Sequence, residues 1–234
     1  MTVQSHGTFA TASGVGLGAV PHQTGPAAPA APGVVRPGRL AGTTELRGRP
    51  AAALRYPAGD VLVVSGLPGS GKSTLIRRAA GAPEHAGARV HRVDSQDTRD
   101  RWERRMPALL PYAVYRPLVR LAHYAGLRRA LRSGDSVVVH DCGSLAWVRR
   151  WLARDARRRG RSLHLALLDV EPRVALEGQA SRGRGVSGYA FARHRRAVGR
   201  LVRELEAGRL PDGCASAVLL DRRAATTLSG IGFD

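Results

Sequence analysis

The chain has 234 residues, of which 43% are hydrophobic, with a formal net charge of +19 at pH 7 and a sequence pI near 11.6. That length allows one closed core plus an appendage, and the two cysteines, Cys142 and Cys214, fit neither a disulfide framework nor a metal-ligand spacing. No apolar run approaches a membrane helix and no basic segment leads into a long apolar one, so the expected setting is cytoplasmic, with no membrane partner.

The charge has two readings. An arginine-rich composition can leave solvated basic faces without further meaning. It can also draw an acidic partner, and non-specific nucleic-acid binding is the partner expected on that reading. Aromatic residues are only 5% of the chain, which disfavours a base-stacking surface.

Residues 1–58 are rich in Ala, Gly and Pro, and their apolar residues show no sustained period. Such a stretch buries too little to offset its ordering entropy, and it reads as a disordered tail. From residue 59 to 234 the pattern becomes short apolar strands alternating with helical segments. This is the pattern of an α/β domain built on a mostly parallel sheet.

The first strand, Val61 to Ser65, runs into Gly66-Leu67-Pro68-Gly69-Ser70-Gly71-Lys72-Ser73-Thr74, which matches the P-loop pattern between a strand and a helix. The glycines let backbone amides wrap a phosphate, Lys72 reaches the outer phosphates, and the Ser73 hydroxyl is placed for Mg2+. Lys72 is the single lysine among 37 basic residues. An ammonium fits this loop as a compact point charge where the wide arginine fork does not. ATP and Mg2+ are therefore the expected cofactors.

Arg89 to Val93 reads as a second strand ending at Asp94, followed by a charged helix from Asp97 to Arg105. Tyr112 to Arg132 has Val114, Leu118 and Leu121, then Leu127 and Leu131, at helical steps, which predicts one longer helix. Val137 to Val139 form a third strand that delivers His140 and Asp141 to its end. The helix from Leu145 to Arg159 is expected to bury Trp147, Val148, Trp151 and Leu152. Leu163 to Leu168 is a fourth strand ending at Asp169, and Pro172 opens the helix after it. The Ser181 to Gly185 stretch breaks that helix, Tyr189 to Ala207 resumes it, and Ala217 to Leu220 supplies a fifth strand. Residues from Asp221 onward read as a loop and tail.

Ligands of open parallel sheets gather beyond the carboxyl ends of the strands. Asp94 is the leading acceptor-side carboxylate, with Asp97 second. Asp141 reads as the carboxylate behind Mg2+, His140 as a core histidine, and Asp169 as a turn or cap residue. Arg99 is a candidate clamp for an anionic acceptor, and Arg182 and Arg184 for folding over the triphosphate.

The loop at 66–74, Asp94 followed by Arg99, the Val-Val-Val-His-Asp run to 141, the Leu-Leu-Asp-Val-Glu-Pro stretch from 167 and the Arg-Gly-Arg at 182–184 together resemble kinase-type P-loop NTPases. The nearest patterns are polynucleotide-kinase-like and zeta-toxin-like phosphotransferases, often labelled AAA family ATPases. The resemblance covers Asp60 to Asp221. It implies a three-layer domain with a five-stranded sheet in the order 2-3-1-4-5, a lid carrying arginines, an adenine pocket around Asp221 to Ala225, and transfer of the γ-phosphoryl of ATP to a hydroxyl. Polynucleotide-kinase-like enzymes commonly place a carboxylate three residues before an arginine here; this chain has Gln96 at that spacing before Arg99. The alternatives to a kinase are a nucleotide switch or ATPase without an acceptor, and a basic nucleic-acid-binding module.

Overall fold

The computed structural model describes residues 33–39, 41–79, 89–107, 109–140, 146–181 and 187–234. In chain order these form β1 (Gly33–Val35), β2 (Gly42–Glu45), β3 (Ala51–Tyr56), β4 (Val61–Gly66), α1 (Lys72–Ala79), β5 (Val90–Val93), α2 (Ser95–Glu103), α3 (Tyr112–Arg132) and β6 (Ser136–His140). They continue with α4 (Ala146–Arg158), β7 (Leu163–Leu168), α5 (Pro172–Ala180), α6 (Gly188–Glu206), β8 (Ser216–Leu220), α7 (Arg222–Thr227) and β9 (Gly230–Phe233).

The strands β4, β7 and β8 are buried at every position, so their apolar runs face packed layers on both sides of the sheet. They lie in a six-stranded sheet of order β2-β8-β7-β4-β6-β5, in which every pairing is parallel. The strands expected from the sequence are thus arranged as 2-3-1-4-5, and β2 adds a sixth beside β8. Alternation along each strand sends Val61, Val63, Leu165 and Leu219 to one face, where Leu127 and Leu131 of α3, Leu152 of α4 and Leu201 of α6 cover them. Leu62, Val64, Leu168 and Val218 point to the other face, against Leu75 and Ile76 of α1 and Ala224 of α7.

That second layer also holds β1, β3 and β9, a small parallel sheet in that order. Its strands correct two expectations. The stretch read as a tail to residue 58 contains three strands, and Leu46, Leu54 and Tyr56 are buried at 7%, 0% and 1% exposure. The end of the chain, read as a loop, forms α7 and β9, with Ile231 and Phe233 in the same cluster as Leu54 and Tyr56. Few apolar residues suffice here because the segment borrows its partners: β2 pairs with β8, and β3 lays Leu54 and Tyr56 onto a face the main sheet already presents. Residues 1–32 lie outside the described residues.

The long helix forms over Tyr112–Arg132 as the spacing predicts. In α3 the buried stripe is Tyr115, Val119, Leu127, Ala130 and Leu131, while Val114, Leu118 and Leu121 are 62%, 50% and 68% exposed. The helix carries two apolar stripes in its first half, and the one holding Tyr115 and Val119 turns inward. Trp147 is exposed, at 53%, and its ring lies tilted against Tyr124, 5.7 Å between centroids, instead of entering the core.

At the amino ends of the central strands sits a buried polar cluster. His164 Nε2 lies 2.9 Å from Asp60 Oδ2 and its Nδ1 lies 2.8 Å from Ser216 Oγ, while Asp60 Oδ1 accepts from Ser162 N at 2.9 Å. The Tyr56 ring rests 5.0 Å from the imidazole. With His164 and Ser216 each at 1% exposure and Asp60 at 4%, these groups satisfy one another away from solvent.

Candidate functional site

β4 ends at Gly66, and α1 opens at Lys72 after a turn whose glycines, Gly66, Gly69 and Gly71, have φ of 151°, 86° and 100°. Side chains avoid that region, and at Gly69 space forbids one as well: a Cβ would overlap the carbonyl oxygen of Ala175 in α5. The contact is mutual, because a Cβ on Gly178 would lie 2.5 Å from the Gly69 oxygen. Gln179 Nε2 adds a hydrogen bond to the Pro68 oxygen at 3.1 Å. Helix α5 therefore buttresses the loop from behind.

Lys72 is only 3% exposed, and its Nζ donates to the carbonyl oxygens of Gly66 at 2.8 Å and Leu67 at 2.6 Å. These acceptors hold an ammonium inside the loop, where phosphate oxygens can replace them. Beside it the Ser70 hydroxyl is buried without a hydrogen-bond partner among the described residues, as is Ser65 Oγ at the end of β4. The first-turn amides of α1 have no intrahelical acceptor and add the positive end of the helix dipole. The cradle is thus rich in donors directed at an anion.

Strand register brings a carboxylate to this cradle. Val93 of β5 pairs with Val139 of β6, so the next residues, Asp94 and His140, fall side by side at the strand ends. His140 Nδ1 is 2.9 Å from Asp94 Oδ1, and Ser73 Oγ donates to Asp94 Oδ2 at 3.1 Å. Asp94 also caps α2, accepting from Gln96 N at 2.9 Å. Burial alone would raise the Asp94 carboxyl, but the His140 imidazole close beside it, with the hydrogen bonds from Gln96 N–H and the Ser73 hydroxyl, holds it down at about 2. It is a carboxylate under all ordinary conditions. His140, read from the sequence as a core histidine, is instead a member of this site.

The remaining sequence candidates scatter. Asp97 is exposed in the first turn of α2 and lines, with Asp94, a groove of about 300 Å³ along β5. Arg99 is turned away from that groove: its Nε donates to Glu103 at 2.6 Å and its guanidinium lies 4.3 Å from the Tyr112 ring centroid. Asp169 accepts from Arg47 at 2.8 Å, an arginine that also binds Glu45 and Glu206 and so ties the end of β2 to the end of β7, across β8. Asp221 to Ala225 includes the cap and first turns of α7, with Ala224 and Ala225 buried. Asp141, Arg182 and Arg184 lie outside the described residues.

Comparison with protein families matches residues 61–207 to the family described as an AAA domain. No curated protein matches the sequence. Among solved structures, the Pnkp1/Rnl/Hen1 RNA repair complex aligns at TM-score 0.50 and 17% identity, over 67% of this chain and 49% of the other. The tunicamycin resistance protein of Deinococcus radiodurans aligns at TM-score 0.41 and 17% identity, over 64% and 84%. A gluconokinase from Sinorhizobium meliloti aligns at 0.39 and 22%, over 74% and 93%. The match to the family spans more than half of the chain and takes in the phosphate loop, the Asp94 strand end and helix α5, and the chain belongs to this AAA domain family, with a kinase-like P-loop NTPase fold.

Proposed function

We propose that this protein is an ATP-dependent kinase that transfers the γ-phosphoryl group to a hydroxyl acceptor. The observation that carries the reading is the Asp94 carboxylate, 3.1 Å from the P-loop hydroxyl of Ser73 and opening onto the groove along β5. A P-loop alone binds nucleotide; a strand-end carboxylate beside it, facing space for a second molecule, is what phosphoryl transfer adds.

In the reaction the acceptor oxygen forms a bond to the γ-phosphorus while the bond from that phosphorus to the β,γ-bridging oxygen breaks, and its electron pair leaves with ADP. The acceptor's proton passes to Asp94 and then to water. A carboxylate held near pKa 2 is a weak base, so its task is to orient the hydroxyl and take the proton late, which a loose transition state permits. His140 positions Asp94. Lys72 draws charge from the phosphates, in place of the carbonyl contacts it makes here.

Mg2+ is the metal this family implies, and the oxygen donors of Ser73 and Asp94 suit a hard cation. Ser73 would hold it, with Asp141 as the second ligand expected from the sequence. When bound, it neutralises charge on the phosphate oxygens.

The test uses γ-labelled ATP with a panel of hydroxyl acceptors. Lys72→Ala should lose at least tenfold in ATP affinity with an unchanged urea midpoint. Asp94→Asn should keep ATP affinity and lose transfer by roughly 10²–10⁴-fold. Label released only as free phosphate would instead identify an ATPase without an acceptor.

A second reading, contact with nucleic acid, is favoured by one surface away from the loop. Arg150, Arg154 and Arg157 of α4 line adjoining grooves of about 340 and 150 Å³, the larger shared with Arg209. Binding through that surface should weaken steeply with salt, and affinity that persists at high salt counts against it.

A further inference from the structure

We propose that the groove along β5 is the acceptor site and that it selects a small hydroxy compound carrying a phosphate or carboxylate group. This rests on the kinase reading above and names its second substrate. The groove runs from Asp94 between α2 and α3, and its volume of about 300 Å³ is at the lower end of small-molecule sites.

Its charge is what points to an anion. Arg92 comes from β5, Arg101 from α2 and Arg129 from α3, three separate elements that converge on one space. Among the described residues none of these guanidiniums is ion-paired with a carboxylate, whereas neighbouring groups already have partners: Arg99 pairs with Glu103, and Asp135 and Asp94 have the imidazoles of His91 and His140 beside them. Asp97 is the one further acid lining the groove, so the three arginines leave a positive surplus. An arginine fork matches a carboxylate or phosphate through two parallel hydrogen bonds. An acceptor held by such a group at the arginine side has its hydroxyl end left to reach Asp94.

The arrangement also accounts for Arg99, the expected clamp. Its place two residues earlier on α2 puts it on Glu103 and Tyr112, and Arg101 faces the groove instead.

The experiment measures calorimetric binding to the full chain, in the presence of ADP, of matched pairs: glycerol 3-phosphate against glycerol, and gluconate against glucose. The anionic member of at least one pair should bind at least tenfold more tightly than its neutral partner, and Arg101→Ala/Arg129→Ala should remove that difference. Which pair responds distinguishes phosphate from carboxylate. A difference below tenfold in both pairs, or one that survives the double substitution, overturns the proposal. Preferential labelling by ATP of an oligonucleotide with a 5′-hydroxyl over both small anions overturns it too, by assigning the groove to a polymer end. ATP titrated separately reports the kinase reading: if ATP fails to bind, that reading falls, and if ATP binds without an anion preference, only the present inference does.

Discussion

Removing residues 1–58 tests whether the segment before β4 belongs to the domain. The structure places three of its side chains in the core, Leu46, Leu54 and Tyr56, and pairs β3 with β9 from Ala53 to Tyr56. Full burial of a large apolar side chain is worth about 1.5–3 kcal/mol, so the three together contribute about 5–9 kcal/mol. A domain of this kind is stable by only roughly 5–15 kcal/mol in total. The fragment 59–234 should therefore unfold at a much lower urea concentration than the full chain, or fail to fold at all. Trp102, Trp147 and Trp151 all lie beyond the deletion, so tryptophan fluorescence follows both proteins with the same probes. The urea dependence should also become shallower, since less surface is exposed on unfolding. An unchanged midpoint and slope would refute the assignment of Leu54 and Tyr56 to the core.

Gly69→Ala should cost about 1–3 kcal/mol and weaken ATP binding, because a Cβ there meets α5 and the φ of 86° is strained for alanine; chemical denaturation and nucleotide titration measure the two effects, and neither changing would show that α5 does not brace the loop. On α3, Leu121→Ser should stay within about 0.5 kcal/mol of wild type, while Leu127→Ala should lose about 2–5 kcal/mol. Equal losses would mean the exposed stripe is covered in solution. Burial pushes the Cys214 thiol up to about 11, so it should react slowly with iodoacetamide at pH 7.5 and faster as the pH rises towards 11, where the thiolate forms; peptide mapping of the adduct reads this, and rapid labelling at neutral pH in folded protein would contradict it.

The parts of the fold legible in the sequence were those that announce themselves locally. Three consecutive valines at 137–139 or the Leu163–Leu168 run can hardly be anything but interior strands, and the loop at 66–74 carries its chemistry in its spacing. What stayed hidden depends on partners far along the chain. Gly42–Glu45 has no apolar pattern and becomes a strand only because β8 offers an edge. Leu54 and Tyr56 are an alternating pair too short to stand out, and their layer is completed by Ile231 and Phe233. Among site residues, His140 was misread because three valines before it suggested the core, while the neighbour that gives it a role, Asp94, arrives through strand pairing. Helical spacing likewise could not decide which of two stripes on α3 turns inward.

The Asp60, His164 and Ser216 cluster acts as a gauge for the whole sheet. A parallel strand that slips by one residue can still bury valine or leucine, so apolar matching alone distinguishes poorly among alignments of β4, β7 and β8. The same slip would part His164 from Asp60 and Ser216 and strand polar groups in a dry interior, at several kcal/mol. One alignment survives, in which Gly66 stands level with Leu168, and Leu168 with Leu220. The height at which the phosphate loop leaves the sheet is thus set from the far end of the strands, by residues that never meet the nucleotide.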